Sequence, residues 1–290
     1  MANTINYTSN FLPVIDEIYK AESVTERLDT NTLTDFTGSN EVKVLKVSTT
    51  GLGTYSREAG YPKGDISAVW ETMKLTQERG KEISIDRMDD DETLGLVFGS
   101  VTGSFMREWV IPELDAYRFS KYAAAEGIGK EEETLTKDNI LTAIDNATMA
   151  MDESEVPMEG RVLFVNSDLK PVLNAALSRQ WTNEEDANTV INRYNNMNVI
   201  YVPKTRFYTG INLNDGSDSW GYTKAGNEIN FMIIYPQAVV QAKKFVMPKV
   251  FTPDENQKLD AWLFQFRLYH DAFVYENKVK GIYLSSRAEE

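Results

Sequence analysis

A chain of 290 residues, 42% hydrophobic and 26% charged, carries enough apolar material for one large domain or two ordinary ones. Its formal charge of −14 argues against a shared basic surface for phosphates, and the absence of cysteine removes disulfides, thiol catalysis and thiolate metal sites. No stretch approaches the roughly 18 consecutive apolar residues of a membrane span, and MANTINYTSN has neither a basic nor an apolar leader region, so neither a span nor a secretory signal is expected.

Residues 1–40 hold one short helix signal, Pro13 to Ala21, with Pro13 in its first turn and Asp16 and Glu17 close behind. The remainder, TNTLTDFTGSNE, is polar and turn-rich. So few apolar residues form no core alone, and the segment reads as an arm that packs on something else. Residues 41–87 read as a long two-stranded excursion, since Val42 to Val47, Ala68 to Thr76 and Ile83 to Asp86 alternate with a period of two. The loop tip between them, Ser56 to Asp65, is punctuated by Gly60, Pro62 and Gly64. Both faces look mostly polar, Trp70 and Leu75 being exceptions. Such a hairpin is unstable in isolation and should lie against another surface, that of another copy included.

Asp89 to Glu126 carries the longest helical period. Leu94, Phe98, Val101, Phe105, Trp109, Leu114, Tyr117 and Ala124 fall on one stripe, with Phe98, Phe105, Trp109 and Tyr117 as its expected core contacts. Asp89, Asp90, Asp91 and Glu92 crowd the first turn, where the helix dipole favours negative charge. Gly127 and Gly129 close it. Pro112 removes one backbone bond and should bend or break the helix.

Leu135 to Met151 follows as a second amphipathic helix with Thr136 as N-cap, then Arg161 to Asn166 as a buried strand, and a helix capped by Ser167 and running to Leu177. Asn198 to Val202 and Ile229 to Tyr235 are two further buried strands, and Asn212 to Asn227 reads as an exposed loop. Strands and helices alternate across 132–237, which reads as an α/β or α+β lobe. The segment AVVQAKKFV is a short helix or strand. Ala261 to Tyr275 alternates as one long strand, and Lys278 to Leu284 is its expected neighbour.

No group of residues makes an enzyme. His270, the single histidine, has no cysteine and no motif-placed serine, and one imidazole is too few for a histidine metal site, so it reads as packed or at an interface. Asp86 and Asp89 to Glu92 form the densest carboxylate group, but a calcium loop's spacing and glycine are missing, and a helix start explains them better. Gly51-Leu52-Gly53 and GYPKG at 60–64 lack the phosphate-loop pattern and read as turns. The aromatics of Ala261 to Tyr275 have no basic stripe beside them for stacked bases. Lys63 on the hairpin tip reads as solvated rather than as half of an isopeptide link. No catalytic, cofactor or metal residue is assigned.

The order of elements carries a resemblance. LTQERGKEISIDRMDDDET (75–93), FMREWVIPELDAYRFSKYA (105–123), NVIYVPKTRFYT (198–209) and the ending AKKFV to GIYL (242–284) resemble the major capsid proteins of tailed bacteriophages, with the Hong Kong 97-type fold. The resemblance implies an α+β fold in which 1–40 is an N-terminal arm, 41–88 an extended hairpin (E-loop), 89–131 and 238–290 a peripheral domain with the spine helix, and 132–237 an axial domain. It implies a non-enzymatic shell protein of the virion, assembled in the host cytoplasm into hexamers and pentamers around double-stranded DNA without sequence-specific binding. Its expected partners are itself, a portal, scaffolding supplied separately or not at all, and decoration proteins, with no membrane and no cofactor. Arg57, Glu58, Lys63 and Asp65 on the hairpin tip are the expected intersubunit contacts. Two alternatives stay open, an encapsulin-like compartment shell and an acidic carbohydrate-active enzyme.

Overall fold

In the computed structural model, residues 23–29, 41–58, 60–88, 96–177 and 192–288 are described. The expected helix at 13–21 and the acid run at 89–92 lie outside them, as does the side chain of Phe98.

After a short 3₁₀ turn at Glu26–Leu28, the excursion resolves into β1 (Glu41–Thr49), β2 (Ile66–Lys74) and β3 (Gln77–Asp86). β1 and β2 form an antiparallel hairpin from Glu41↔Lys74 to Thr49↔Ile66. β3 leaves it. It pairs with a strand some 185 positions later, so the excursion proper is β1 and β2 alone, and the chain re-enters the body between Leu75 and Gln77.

The spine is α1 (Leu96–Phe105), a π-turn at Met106–Val110, and α2 (Ile111–Ala124). Phe105, Val110 and Ile111 all keep helical backbone angles, and the Ile111 N–H donates to the Met106 carbonyl five residues back. Pro112 therefore does not break the helix. The missing N–H is absorbed by a change of hydrogen-bond register one turn earlier, as π-bulges commonly allow. The wider turn has a packing consequence. On a plain α-helix Met106 and Ile111 would face about 140° apart, but both are fully buried on one cluster with Leu114, Phe264, Phe266 and Leu268. The buried stripe runs Thr102, Met106, Ile111, Asp115, Arg118, Tyr122, with its single step of five at the π-turn. The expected stripe is corrected accordingly. Tyr117 is buried and Phe105 half-buried, whereas Trp109 is 46% exposed.

Next come β4 (Gly129–Glu132), α3 (Ile140–Glu153), β5 (Val162–Asn166), α4 (Lys170–Ala176), β6 (Arg193–Tyr194), β7 (Met197–Val202), β8 (Tyr208–Leu213) and β9 (Tyr222–Ile234). α3 starts at Ile140 rather than at Thr136, because the Asn139 carboxamide accepts from the Thr136 N–H and hydroxyl and holds the lead-in as a turn. Ahead of α4, the Asn166 side chain caps a 3₁₀ turn by accepting from the Asp168 N–H, in place of the expected Ser167. Half of the expected 212–227 loop is strand. β8 and β9 pair from Tyr208 to Leu213, leaving only 214–221 as a loop, since backbone pairing at an edge needs no apolar side chains.

β10 (Val239–Phe251), β11 (Ala261–Val274) and β12 (Ile282–Ser286) complete the chain. β10, β11 and β3 make a three-stranded antiparallel sheet. β12 is not β11's neighbour. It inserts between β9 and β4 in a sheet ordered β4-β12-β9-β5-β7-β6, with β8 added on β9.

That larger sheet is covered on both faces. Val162 and Phe164 of β5 with Met232 and Ile234 of β9 point toward Phe119 and Tyr122 of α2. Leu163, Val165, Phe231 and Ile233 point the other way, toward Ile140, Ile144 and Met151 of α3 and Leu173 of α4. Burial on both faces is why these strands read as unbroken apolar runs.

Candidate assembly surfaces

Among the described residues, the exposed apolar side chains concentrate on the hairpin. In the β1–β2 register Val47 pairs with Ala68, and these fall on one face with Ile66 and Trp70; Ile66 is 76% and Trp70 60% exposed. Leu52, Tyr55 and Tyr61 stand exposed at the tip, the two tyrosine rings 5.0 Å apart. The expectation of two polar faces is therefore corrected, since one face is apolar and uncovered. Arg57, Glu58, Lys63 and Asp65 are all exposed at the tip and make no ion pair among the described residues.

At the hairpin's root, Met73 and Leu75 are buried with Val240, Ala242 and Tyr275. The adjacent Thr76 donates its N–H and hydroxyl to the buried Asp271 carboxylate, at 2.9 and 2.7 Å. The other carboxylate oxygen accepts from Tyr117 and from the Ala272 N–H, both at 2.8 Å. Burial, reinforced by the Asp271 charge, pushes the Tyr117 phenol well above its usual range. One carboxylate thus ties the hairpin root to α2 and β11.

Arg79 ties a second junction. Its guanidinium donates to both Glu113 oxygens of α2, at 2.6 and 3.1 Å, and to the carbonyls of Asn214 (2.6 Å) and Gly221 (3.3 Å), the two ends of the β8–β9 loop. Planar geometry suits arginine to this forked contact. Two positions along, the Lys81 ammonium lies 5.5, 5.9 and 5.1 Å from the ring centres of Phe105, Trp109 and Trp220. Gly221, at φ +74°, leaves room for the Trp109 ring, which would crowd any Cβ there at 3.2 Å.

A third junction fixes the described part of the N-terminal arm. Asp115, fully buried on α2, accepts from the hydroxyls of Ser23 (2.8 Å) and Thr25 (2.6 Å), from the Val24 N–H (3.2 Å) and from Arg206 (3.2 Å). Leu28 joins the main core. These residues pack on the body of the same chain.

His270 is packed, as one of its two expected readings had it. It is buried edge-on against Tyr117 with ring centres 5.1 Å apart, and its Nδ1 has no partner among the described residues. Burial, then the charges of Arg118 and Arg79, push it down to about 3, so it is neutral at ordinary pH. No group of His, Asp or Glu able to hold a metal occurs among the described residues.

Thr76, Arg79, Asp115, Trp220 and Asp271 escaped the sequence reading. The available signal was faint, namely a polar residue at an inward position, as with Asp115 on the helix stripe.

No family model matches the chain, and no curated protein matches it. Solved structures do. The capsid structure of Cyanophage P-SCSP1u aligns over 92% of this chain and 89% of its own at a TM-score of 0.69 and 12% identity. A chain from Mycobacterium phage Che8 aligns over 91% and 90% at 0.64 and 14% identity. The virus-like particle from Pyrococcus furiosus aligns over 97% and 100% at 0.58 and 11% identity. With its spine helix, its two sheets and its outlying hairpin, the chain has the α+β Hong Kong 97-type capsid fold.

Proposed function

We propose that this chain is a major capsid protein, which assembles with copies of itself into the closed icosahedral head of a bacteriophage around double-stranded DNA. The observation that carries the reading is the hairpin, with an apolar, uncovered face on a fold shared with phage capsid chains. Nothing among the described residues covers that face, so a neighbouring copy is the natural cover, and repeated rotation of such a contact closes a shell. In this reading the E-loop, expected over 41–88, narrows to 41–75, rooted at Thr76; β3 joins 89–131 and 238–290 in the peripheral domain; and 132–237 form the axial domain. Arg57, Glu58, Lys63 and Asp65 meet the next copy. The role is structural, without catalysis.

An acidic subunit holds packaged DNA loosely and without sequence preference, which suits a genome that must leave. Portal, scaffolding and decoration proteins are the further partners, with assembly in the host cytoplasm and residence in the virion. The compartment-shell alternative is less well supported, because most of the structural relatives come from phages.

Electron microscopy of the purified protein after size exclusion tests the reading. Shells tens of nanometres across are expected, and lost when Ile66 and Trp70 are both changed to Ser. A wild-type chain that stays monomeric at every concentration and salt would overturn it. An enzyme copurifying inside the shells, in place of an affinity for DNA filling, would move the assignment to a compartment.

A further inference from the structure

Outside the hairpin, the exposed large apolar side chains of the described residues are scattered singly, with one exception. Trp109, on the π-turn, and Trp220, on the β8–β9 loop, 46% and 56% exposed, both lie against Lys81. They line an open groove together with Pro112, Pro203, Arg206 and Tyr222. Two half-exposed indoles cost solvation in a free subunit, and paired Trp rings in a groove are the kind of site where binding energy concentrates.

The groove borders β3, the strand that continues from the hairpin's root, since Lys81, five residues after Thr76, lies against both indole rings. The tip lies elsewhere. Nine paired residues carry it about 30 Å from the root, and Leu52, Tyr55 and Tyr61 there are exposed. Among the described residues, each copy thus holds an aromatic tip with no cover and, apart from it, an aromatic groove with no occupant. Charged groups of both signs stand on each side, Glu58 and Asp65 beside Arg57 and Lys63 at the tip and Arg206 in the groove's lining, so ion pairs can form in either direction. The tip carries the unpaired cations Arg57 and Lys63, and the exposed carboxylates of Glu108, Asp215 and Asp218 stand on the two segments that bear the tryptophans.

Resting on the shell reading, we propose that the Trp109–Trp220 groove receives the hairpin tip of the adjacent copy, with Tyr61 and Pro62 against the indoles and Arg57 and Lys63 toward the acidic rim. Donor and acceptor are different patches of one surface, so the contact is heterologous and repeats around a ring until it closes. The π-turn then has a role in assembly, because it turns Trp109 outward while Met106 and Ile111 stay in the core.

The absence of cysteine gives a clean test. In the double variant Glu58→Cys with Ser219→Cys, oxidation of assembled particles should give a ladder of covalent multimers, at least tenfold above the control pair Glu58→Cys with Met149→Cys. Mixed single variants should give dimers only. Hydroxyl-radical footprinting of the wild-type chain is the second measurement, should the variants fail to assemble. Trp109, Trp220 and Tyr61 should all be protected several-fold in particles relative to dissociated subunits. Particles that form with both indoles still reactive, or that cross-link equally to the control position, would overturn the groove assignment and leave the shell reading standing. A wild-type chain that forms no particles would remove both.

Discussion

Thr76 and Asp271, 195 residues apart in sequence, are joined twice, by the threonine's N–H and by its hydroxyl, to the same carboxylate oxygen. The hairpin's attitude to the body is fixed there. Asp271→Ala strands donors from Thr76, Tyr117 and Ala272 in a buried site, and should cost about 3 kcal/mol or more. Thr76→Val removes the hydroxyl's bond to Asp271 and the exposed one it accepts from Gln77, and should cost about 1–2 kcal/mol. Urea denaturation of dissociated subunits measures both, and limited proteolysis within 51–65 should quicken in the first variant.

Asp115 should be the more sensitive carboxylate, because a guanidinium faces it. Asp115→Ala leaves Arg206 without its partner and frees the arm at Ser23 and Thr25, for an expected loss of about 3–5 kcal/mol. Thr25→Ala, which removes a buried hydroxyl shared between Asp115 and Arg118, should cost about 2–3 kcal/mol. Early cleavage near residue 25 in the Asp115 variant alone would mark the arm's release.

Acid should weaken the subunit partly through His270. Its folded value lies near 3 against 6.5 for a free imidazole, so the unfolded chain takes up the proton first. The stabilising difference is present in full above about pH 6.5 and is lost as the pH falls toward about 3. His270→Phe keeps an aromatic ring against Tyr117 and should flatten the stability profile in that window. Denaturation midpoints from pH 7 to 4 for both proteins decide it, and parallel profiles would assign the acid loss to carboxylates.

Pro112→Ala restores an N–H at a turn whose register is already set by buried neighbours. Met106 and Ile111 are both fully buried, and a return to plain α-helix would swing one of them off the core. The variant should keep the π-turn and stay within about 1 kcal/mol of the parent. A cryo-EM map with ordinary helical register through 106–111 would show that the proline alone imposes the turn.

The strands of the larger sheet were legible because two-sided burial writes itself as apolar runs, as in Val162 to Val165. The long helix was legible too, but its phase was not. An inserted residue is invisible to a fixed period, so Trp109 was placed inside. Partners of strands were the least legible feature. Nothing in ISID points to the aromatic strand at 261–270, and KVKGIYL lies next to that strand in sequence while pairing with β9 and β4. Asp115, Asp271 and Arg79 were missed for the same reason, since each is explained by groups from segments far along the chain.

The pairing of β3 with β11 also sets an order of events during synthesis. β1 and β2 are neighbours in sequence, and a local hairpin closes in microseconds. Its footing waits until Ala261 to His270 has emerged, because Gln77 pairs with His270 across about two thirds of the chain's length. Long-range pairing of this kind is slow. For most of translation the cell therefore holds a sticky ribbon bearing Ile66 and Trp70 with no body to aim it. Subunits of this design should lean on chaperones while they are being made, and overexpression should fill inclusion bodies before it fills shells.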